Sequence, residues 1–255
     1  MKSIDLNCDM GELSEAIVDG TQESLMPWIS SVNIACGGHV GDEKTMSTTI
    51  EQALRWKLAL GAHPGYPDAA NFGRMELQMS AEAIADSVFE QVRALAVVAA
   101  RYSGSLEHVK PHGALYNQAV RERALAEAIA QGVARWRHDV VLVGLAGSQM
   151  LEVFREAGFA VAAEAFADRR YEADGTLRSR KFDNALISDP TEAARQALHI
   201  VQRGTVTASD GSEVPINAQT LCIHGDTPGA PQVAAAVASA LRRAGVRLSP
   251  VNRSF

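Results

Sequence analysis

The sequence predicts an α/β fold in which parallel strands alternate with helices around a closed or nearly closed barrel. Short apolar segments alternate with longer amphipathic segments, seven such units follow one another, and 255 residues suit one barrel. Successive strand–helix–strand units imply parallel strands joined by crossover helices. An open, doubly wound sheet has the same order of elements, so the strand count alone leaves it as the alternative.

Seven segments have the length and apolar character of buried strands. They span residues 3–8, 31–36, 58–63, 106–110, 140–144, 160–164 and 220–224.

Amphipathic helices are predicted between these strands. One helical face carries the apolar residues Ile84, Val88, Val92, Leu95 and Tyr102, with Ser80 as a candidate N-cap. A second helix is predicted to begin at Asp189 and Pro190, a capping residue followed by proline, and to end at Gly204.

Two segments interrupt this alternation of strands and helices. Residues 173–182 predict a long loop after the sixth strand, and residues 206–216 predict a hairpin around Asp210 and Gly211. The sequence shows no linker, internal repeat or low-complexity tract. We therefore predict a single β/α-barrel domain over residues 1–255.

Composition excludes several classes of function. Lys and Arg number 24 against 30 Asp and Glu, a net charge of −6, which argues against nucleic acid or an anionic membrane as partner. No apolar run approaches the ~20 residues of a membrane helix. The start of the chain turns acidic at Asp5 before any apolar stretch, unlike a secretory signal. Three widely spaced cysteines indicate buried thiols, so we expect a cytoplasmic protein.

Polar residues cluster where the predicted strands end. In a parallel barrel these ends meet at one rim, where such enzymes build their sites. Singly, an aspartate there is explained as well by a helix N-cap, and a histidine by a hydrogen-bonded core position. A lysine at an inward strand end is more informative, because lysine is almost never buried unpaired. The candidate residues are Asn7, Asp9, Glu12, His39, His63, Lys110, His112, Glu164, Asp168, Arg169, His224 and Asp226.

These residue types favour hydrolysis of a small anionic substrate. A carboxylate or imidazole can take a proton from water, and lysine or arginine can hold a carboxylate or a developing oxyanion. A zinc-type ion is the competing interpretation, with Asp9, His39, His63 and His112 as possible ligands, but no H-E-x-x-H or C-x-x-C spacing supports it. The chain also lacks a phosphate-binding loop, a dinucleotide fingerprint and a nucleophile elbow.

Taken together, the strand-end motifs resemble those of the LamB/YcsF family. The resemblance runs in order from Asp5 to about Gly245, which makes it specific. The motifs that carry it are Asp5-Leu-Asn7-Cys-Asp9-Met-Gly11-Glu12, Asn33-Ile-Ala-Cys36-Gly37-Gly-His39, Gly61-Ala-His63-Pro-Gly65-Tyr66-Pro-Asp68, Val109-Lys110-Pro-His112-Gly113-Ala-Leu-Tyr116-Asn117, Phe166-Ala-Asp168-Arg169-Arg170-Tyr171 and His224-Gly225-Asp226-Thr227-Pro228.

The resemblance implies a distorted seven-stranded parallel β/α barrel of the polysaccharide deacetylase/glycoside hydrolase type. It also implies the A subunit of an ATP-dependent 5-oxoprolinase, a hydrolase that opens the cyclic amide 5-oxo-L-proline to L-glutamate. The implied partners are the B and C subunits, which we expect to bind the ATP because this chain has no nucleotide motif.

The resemblance gives the candidate residues provisional roles. Asp9, Glu164 or His112 would be the base, and Lys110 or Arg169 would hold the substrate carboxylate or a phosphate. His63, Asp168, His224 and Asp226 complete the candidate catalytic set, and Asn7, Glu12 and His39 the substrate-binding set.

Some positions depart from the family pattern, and two other functions stay open. The departures are at residues 13–15, Gly38, Asn71 and Met75, near the expected pocket mouth. They leave the polar set intact but bear on the identity of the substrate. The alternatives are a metal-dependent deacetylase or amidohydrolase that needs no ATP, and a non-catalytic subunit that retains the barrel.

Overall fold

Parallel strands close on themselves in the computed structural model of the chain, which describes residues 2–227 and 229–251. Pro228, at the end of the last motif above, lies outside the described residues. The strands are β1 (Ser3–Met10), β2 (Ser31–Ala35), β3 (Ala59–His63), β4 (Leu106–Val109), β5 (Val141–Leu145), β6 (Ala160–Phe166), β7 (Thr205–Thr207), β8 (Glu213–Pro215), β9 (Thr220–His224) and β10 (Arg247–Leu248).

The closing contact is the pairing of β1 with both β2 and β9. From β2 to β6 each strand pairs in parallel with the next, and β9 joins β6 back to β1. The result is a seven-stranded barrel, as predicted, and the open-sheet alternative is wrong. β10 is added beside the start of β1. A register shift at Leu60 and Gly61 distorts the barrel between β3 and β4.

Helices surround the barrel, and all of them except the first, Ser14–Val18, contain buried apolar residues. They are α1 (Ser14–Val18), α2 (Thr21–Leu25), α3 (Glu43–Arg55), α4 (Ala81–Arg101), α5 (Gly113–Ala119), α6 (Arg123–Trp136), α7 (Gln149–Glu156), α8 (Pro190–Arg203) and α9 (Ala230–Arg243), with 3-10 turns at Met26–Trp28 and Ala69–Asn71.

The predicted helix ends are confirmed, because their caps form. The Ser80 side chain accepts the amide of Ala83 at the start of α4, and Asp189 accepts that of Glu192 in α8. Gly204 ends α8 in the left-handed region, at φ 69°.

The two interruptions are also confirmed. β7 and β8 form an antiparallel hairpin. The loop after β6 runs to the start of α8 and is folded back on itself by short bridges that join Arg169 to Leu186 and Tyr171 to Leu177. No described helix is long and apolar enough to cross a membrane.

The barrel interior is polar along β1. Asp5, Asn7 and Asp9 point inward because side chains alternate along a strand, and Asp9 is level with Asn33 of β2 and His224 of β9. Gly61 of β3 is required here, since a Cβ at that position would collide with the inward His108 ring of β4. The site therefore rests on a buried polar column.

Candidate functional site

A cavity of about 610 Å³ opens at the carboxyl ends of the strands. Eight of the twelve candidate residues line it, namely Asp9, Glu12, His63, Lys110, His112, Arg169, His224 and Asp226. The other four, Asn7, His39, Glu164 and Asp168, are buried behind the lining and contact it. The structure thus brings the whole candidate set to one mouth.

Lys110 is the central cation of the cavity floor. Its Nζ lies 2.9 Å from Asp9 Oδ1 and 2.9 Å from Glu164 Oε1, and it also contacts Cys222 Sγ at 3.1 Å. The residue is only 2% exposed. A buried ammonium is tolerable only when paired, and here two carboxylates pair it.

This pairing shifts the pKa values of Lys110 and Asp9 at the cavity floor. Burial opposes the charged form of Lys110, but Asp9, Cys222 and Glu164 raise its pKa well above the ordinary value. Burial likewise opposes ionised Asp9, but His63 and Lys110 hold its pKa well below the usual range. The floor therefore holds a permanent ammonium–carboxylate pair at neutral pH.

A network of amides fixes this pair from below. Asn33 Nδ2 donates to Asn7 Oδ1 and to Asp9 Oδ1, both at 2.8 Å, and Asn7 Nδ2 donates to Glu164 Oε1 at 3.1 Å. His108 Nε2 lies 2.8 Å from Asn33 Oδ1. Burial and nearby Lys110 lower the pKa of His108 to about 3, so it is a neutral donor. The orientation of Asp9 is set before any substrate arrives.

Two histidines face each other beside Asp9. His63 Nδ1 lies 2.7 Å from the Lys110 carbonyl, and His112 Nε2 lies 3.0 Å from the Phe72 carbonyl. A carbonyl only accepts hydrogen bonds, so each of these ring nitrogens carries a proton. The inner nitrogens, His63 Nε2 and His112 Nδ1, are 3.0 Å apart. Burial opposes charge on His63, but Asp9 raises its pKa.

Glu12 completes this group, and His39 supports it. Glu12 Oε1 is 3.1 Å from His112 Nδ1 and 3.0 Å from His39 Nε2. His39 stacks on His112 with ring centroids 3.6 Å apart. Burial lowers the pKa of His39 to about 4, so its neutral ring donates to Glu12. Burial opposes ionised Glu12, but the neighbouring His112 and His39 side chains lower its pKa.

The described residues contain two groups with metal-ligating geometry. One is Glu12, His63 and His112, and the other is Asp9, Cys222 and His224. His39, a possible ligand by sequence, instead directs its Nε2 at Glu12.

The opposite wall is held by Asp168 and His224. Asp168 accepts the His224 amide at 2.7 Å, and its carboxylate lies 3.0 Å from His224 Nδ1. Asp168 therefore orients the His224 ring. Asp226 lies at the rim, where its carboxylate accepts hydrogen bonds from Arg74 at 2.6 Å and from Arg180 at 3.2 Å.

Cations dominate the wall above the floor. Arg74, Arg121, Arg169, Arg178, Arg180 and Lys181 face the cavity, with Glu76, Asp174 and Asp226 as the acidic residues among them. Arg169 is 6% exposed and donates to the Arg178 carbonyl, but no carboxylate of the described residues lies within ion-pair distance of it. Burial and Arg180 lower its pKa to about 10, so it still carries its charge.

Sequence reasoning missed several of these residues. The role of Asn33 could have been predicted from the sequence, because a polar residue that points into the barrel from β2 needs a hydrogen-bond partner, and Asp9 lies beside it. Tyr116 also lines the cavity, and burial and the nearby Glu164 raise its pKa well above the ordinary value. Arg178 and Arg180 left no local signal, because the fold of the loop after β6 brings them to the mouth.

None of the departures from the family pattern lines this cavity. Leu13, Ser14 and Glu15 line a second cavity of about 550 Å³ that shares Glu12 and Asp226 with the first. A Cβ on Gly38 would lie 2.6 Å from the Gly65 carbonyl and collide with Gln91, so no side chain fits there.

The remaining two departures flank the segment that ends at Arg74. Asn71 ends a 3-10 turn that Asp68 caps, and Met75 is exposed. Neither lines the cavity.

Comparison with known proteins confirms the family resemblance. A sequence model of the LamB/YcsF family matches residues 4–255. A protein of Chloroflexus aggregans that is named as the A subunit of 5-oxoprolinase is 51% identical over 246 residues, which cover 96% of this chain and 98% of that protein.

Solved structures support the fold. A crystal structure described as a lactam utilization protein from Thermus thermophilus is 43% identical, with a TM-score of 0.91, and covers 98% of this chain and 100% of that one. A family 4 carbohydrate esterase from Streptomyces lividans shares the fold at 8% identity, with a TM-score of 0.50 over 100% of this chain and 95% of that one. The barrel expected from the family resemblance is thereby confirmed.

Proposed function

The chain belongs to the LamB/YcsF family, and we propose that it is the A subunit of an ATP-dependent 5-oxoprolinase that opens 5-oxo-L-proline to L-glutamate. The relative from Chloroflexus aggregans carries that subunit name at 51% identity over nearly the full length of both chains. B and C subunits are the proposed partners and bind the ATP. We place the reaction in the cytoplasm.

One observation carries the proposal: the buried cation Arg169 shares a cavity with the Asp9–Lys110 pair. A buried guanidinium without a carboxylate partner favours an anionic ligand, and its planar fork fits a carboxylate or a phosphate. Lys110 is already paired twice, so Arg169 is the better anion-binding group of the two. The cavity is large enough for a five-membered lactam with a phosphoryl group.

The need for ATP follows from the substrate. A lactam is an unactivated amide, so the partner subunits transfer a phosphoryl group from ATP to its oxygen. Water then adds to the carbonyl carbon, the C–N bond breaks, and the nitrogen takes a proton, which leaves an open-chain acyl phosphate. A second water releases phosphate and L-glutamate.

The floor residues supply the protein's part in this reaction. Asp9 and His112 are the candidate bases that line the cavity, whereas Glu164 lies behind Lys110 and holds it. His63 lies 3.3 Å from Asp9 Oδ2 and orients the water with it. Lys110 stabilises the oxyanion that forms as water adds.

A second candidate is a metal-dependent amidohydrolase or deacetylase that uses no ATP. The group of Glu12, His63 and His112 is the observation in its favour. Hydrolysis of an N-acetyl or lactam substrate by this chain alone, with a divalent ion and without ATP, would identify it.

Reconstitution tests the leading proposal. Glutamate release from 5-oxo-L-proline and ATP is measured with the B and C subunits, with and without this chain. An exposed-surface variant, Arg93→Gln, serves as the control and should match the unchanged chain. Release that depends on this chain supports the proposal. Equal release without it, or none with it, overturns the proposal.

A further inference from the structure

We propose that Glu12, His63 and His112 bind a divalent transition-metal ion at the cavity floor, beside Asp9. Zn²⁺ is one of the first-row ions that accept two imidazoles and a carboxylate, and it is the probe used below. The proposed role of the ion in ring opening rests on the proposed function, but occupancy of the site does not.

The carbonyl contacts of the two histidines carry the proposal. Hydrogen bonds from His63 Nδ1 to the Lys110 carbonyl and from His112 Nε2 to the Phe72 carbonyl leave the inner nitrogens as lone-pair donors. Metal-bound histidines almost always anchor their outer ring nitrogen in this way, which fixes the tautomer and the ring orientation.

Three acceptor atoms therefore converge. His112 Nδ1 is 3.0 Å from His63 Nε2 and 3.1 Å from Glu12 Oε1, and Asp9 Oδ2 lies beside them, 3.3 Å from His63 Nε2. Ligands bound at about 2.0–2.2 Å from one ion lie roughly 3.0–3.5 Å from one another. Both separations from His112 Nδ1 have this length, whereas that from Glu12 Oε1 to His63 Nε2 is longer, at 3.8 Å.

Neighbouring residues hold the ligands and Asp9 in place. His39 donates a hydrogen bond to Glu12 at 3.0 Å and stacks on His112. Lys110 and Asn33 hold Asp9 by its Oδ1, so its Oδ2 is left to face His63.

The second ligand group fits an ion less well. In the group of Asp9, Cys222 and His224, the ammonium of Lys110 lies 3.1 Å from the sulfur. Asp168 also holds His224 Nδ1. A cation there would meet a fixed positive charge, so we assign the ion to Glu12, His63 and His112.

A divalent ion held by Glu12, His63 and His112 would lower the pKa of a bound water toward neutral. His112 would then be a ligand, which leaves Asp9, beside the site, as the candidate base.

Metal binding by the isolated chain tests the site without any assay of activity. The protein is stripped with a chelator, and binding of Zn²⁺ is measured by calorimetry and metal analysis, with Mg²⁺ as the comparison ion. We expect one Zn²⁺ per chain, tighter binding than Mg²⁺, and a rise in the thermal midpoint. Glu12→Gln and His112→Asn should weaken Zn²⁺ binding by about 100-fold or more, since even residues that only orient a ligand cost 10–100-fold.

Two controls locate the ion. His199→Gln on α8 and Cys222→Ser should bind Zn²⁺ as the unchanged chain does.

Co²⁺ gives a second readout that needs no variant. The proposed ligands should produce visible cobalt absorption without the charge-transfer band that a thiolate ligand gives. Absence of stoichiometric Zn²⁺, a thiolate band, or unchanged binding by the Glu12 and His112 variants would overturn the proposal, whatever the outcome of the reconstitution.

Discussion

At the scale of single residues, Lys110 joins the buried polar column to the cavity. Its ammonium is held between Asp9 and Glu164, each at 2.9 Å, so neither carboxylate is left uncompensated in the barrel. Its first task is therefore to pair with two buried carboxylates and hold them in place.

Removal of this cation should destabilise the protein. Lys110→Met leaves Asp9 and Glu164 buried without a counterion, and loss of one partner of a buried pair costs about 3–5 kcal/mol. We expect the free energy of unfolding, measured in urea, to fall by that amount. Glu164→Gln added to Lys110→Met should restore part of it, because the second buried charge is then removed.

The exposed Lys44→Met is the matched control, and it should change stability by no more than about 0.5 kcal/mol. A Lys110 variant as stable as this control would contradict the pairing.

The sequence is sufficient to predict which residues reach the rim but not how they pair. Lys110 is informative because buried lysine needs a partner, yet no spacing identifies Glu164 as that partner. Glu164 lies in β6 and Lys110 directly follows β4, with β5 between them, so their pairing depends on the strand order and the curvature of the sheet.

At the scale of elements, β1 supplies the barrel interior with Asp5, Asn7 and Asp9. Asp5 lies at its lower end and accepts hydrogen bonds from Ser30, Ser31 and Thr220 at 2.6–2.9 Å. Burial outweighs these bonds and raises the pKa of Asp5 to about 6.

This shift predicts a dependence of stability on pH. Between about pH 4 and pH 6 the folded chain holds a proton on Asp5 that the unfolded chain has lost, so stability falls as the pH rises. The shift corresponds to roughly 3 kcal/mol, present below pH 4 and lost above pH 6. Asp5→Asn should remove this component of the slope, as measured by urea unfolding at each pH.

The exposed Asp183→Asn is its control and should keep the slope of the unchanged chain. An identical slope in the Asp5 variant would show that Asp5 is ionised throughout this range.

Elements with local chemistry are predictable from the sequence, and those that depend on distant contacts are not. The caps Ser80 and Asp189 specify helix starts within four residues of sequence. The apolar pattern ends β1 at residue 8, but the strand continues to Met10 because its pairing with β2 runs to Ile34. The loop that carries Arg178 and Arg180 has no such local signal.

At the scale of the whole molecule, the pairing of β1 with β9 closes the barrel and assembles the site. β1 and β9 are more than 200 residues apart in sequence, and their pairing sets Asp9 level with His224. Local periodicity contains no information on so distant a contact, which is why it leaves an open sheet as an alternative. Once the barrel is closed, eight of the twelve candidate residues line one cavity and the other four lie directly behind its lining.

The central claim is that this mouth opens the lactam ring, and Asp9 tests it most directly. Glutamate release is measured in the reconstituted mixture with the unchanged chain, with Asp9→Asn and with the control Asp183→Asn. Loss of a positioned base or water-orienting carboxylate costs about 10²–10⁴-fold, so we expect the Asp9 variant to fall by at least 100-fold while the control is unchanged. An Asp9 variant that is folded and as active as the control would contradict the account and indicate a non-catalytic subunit.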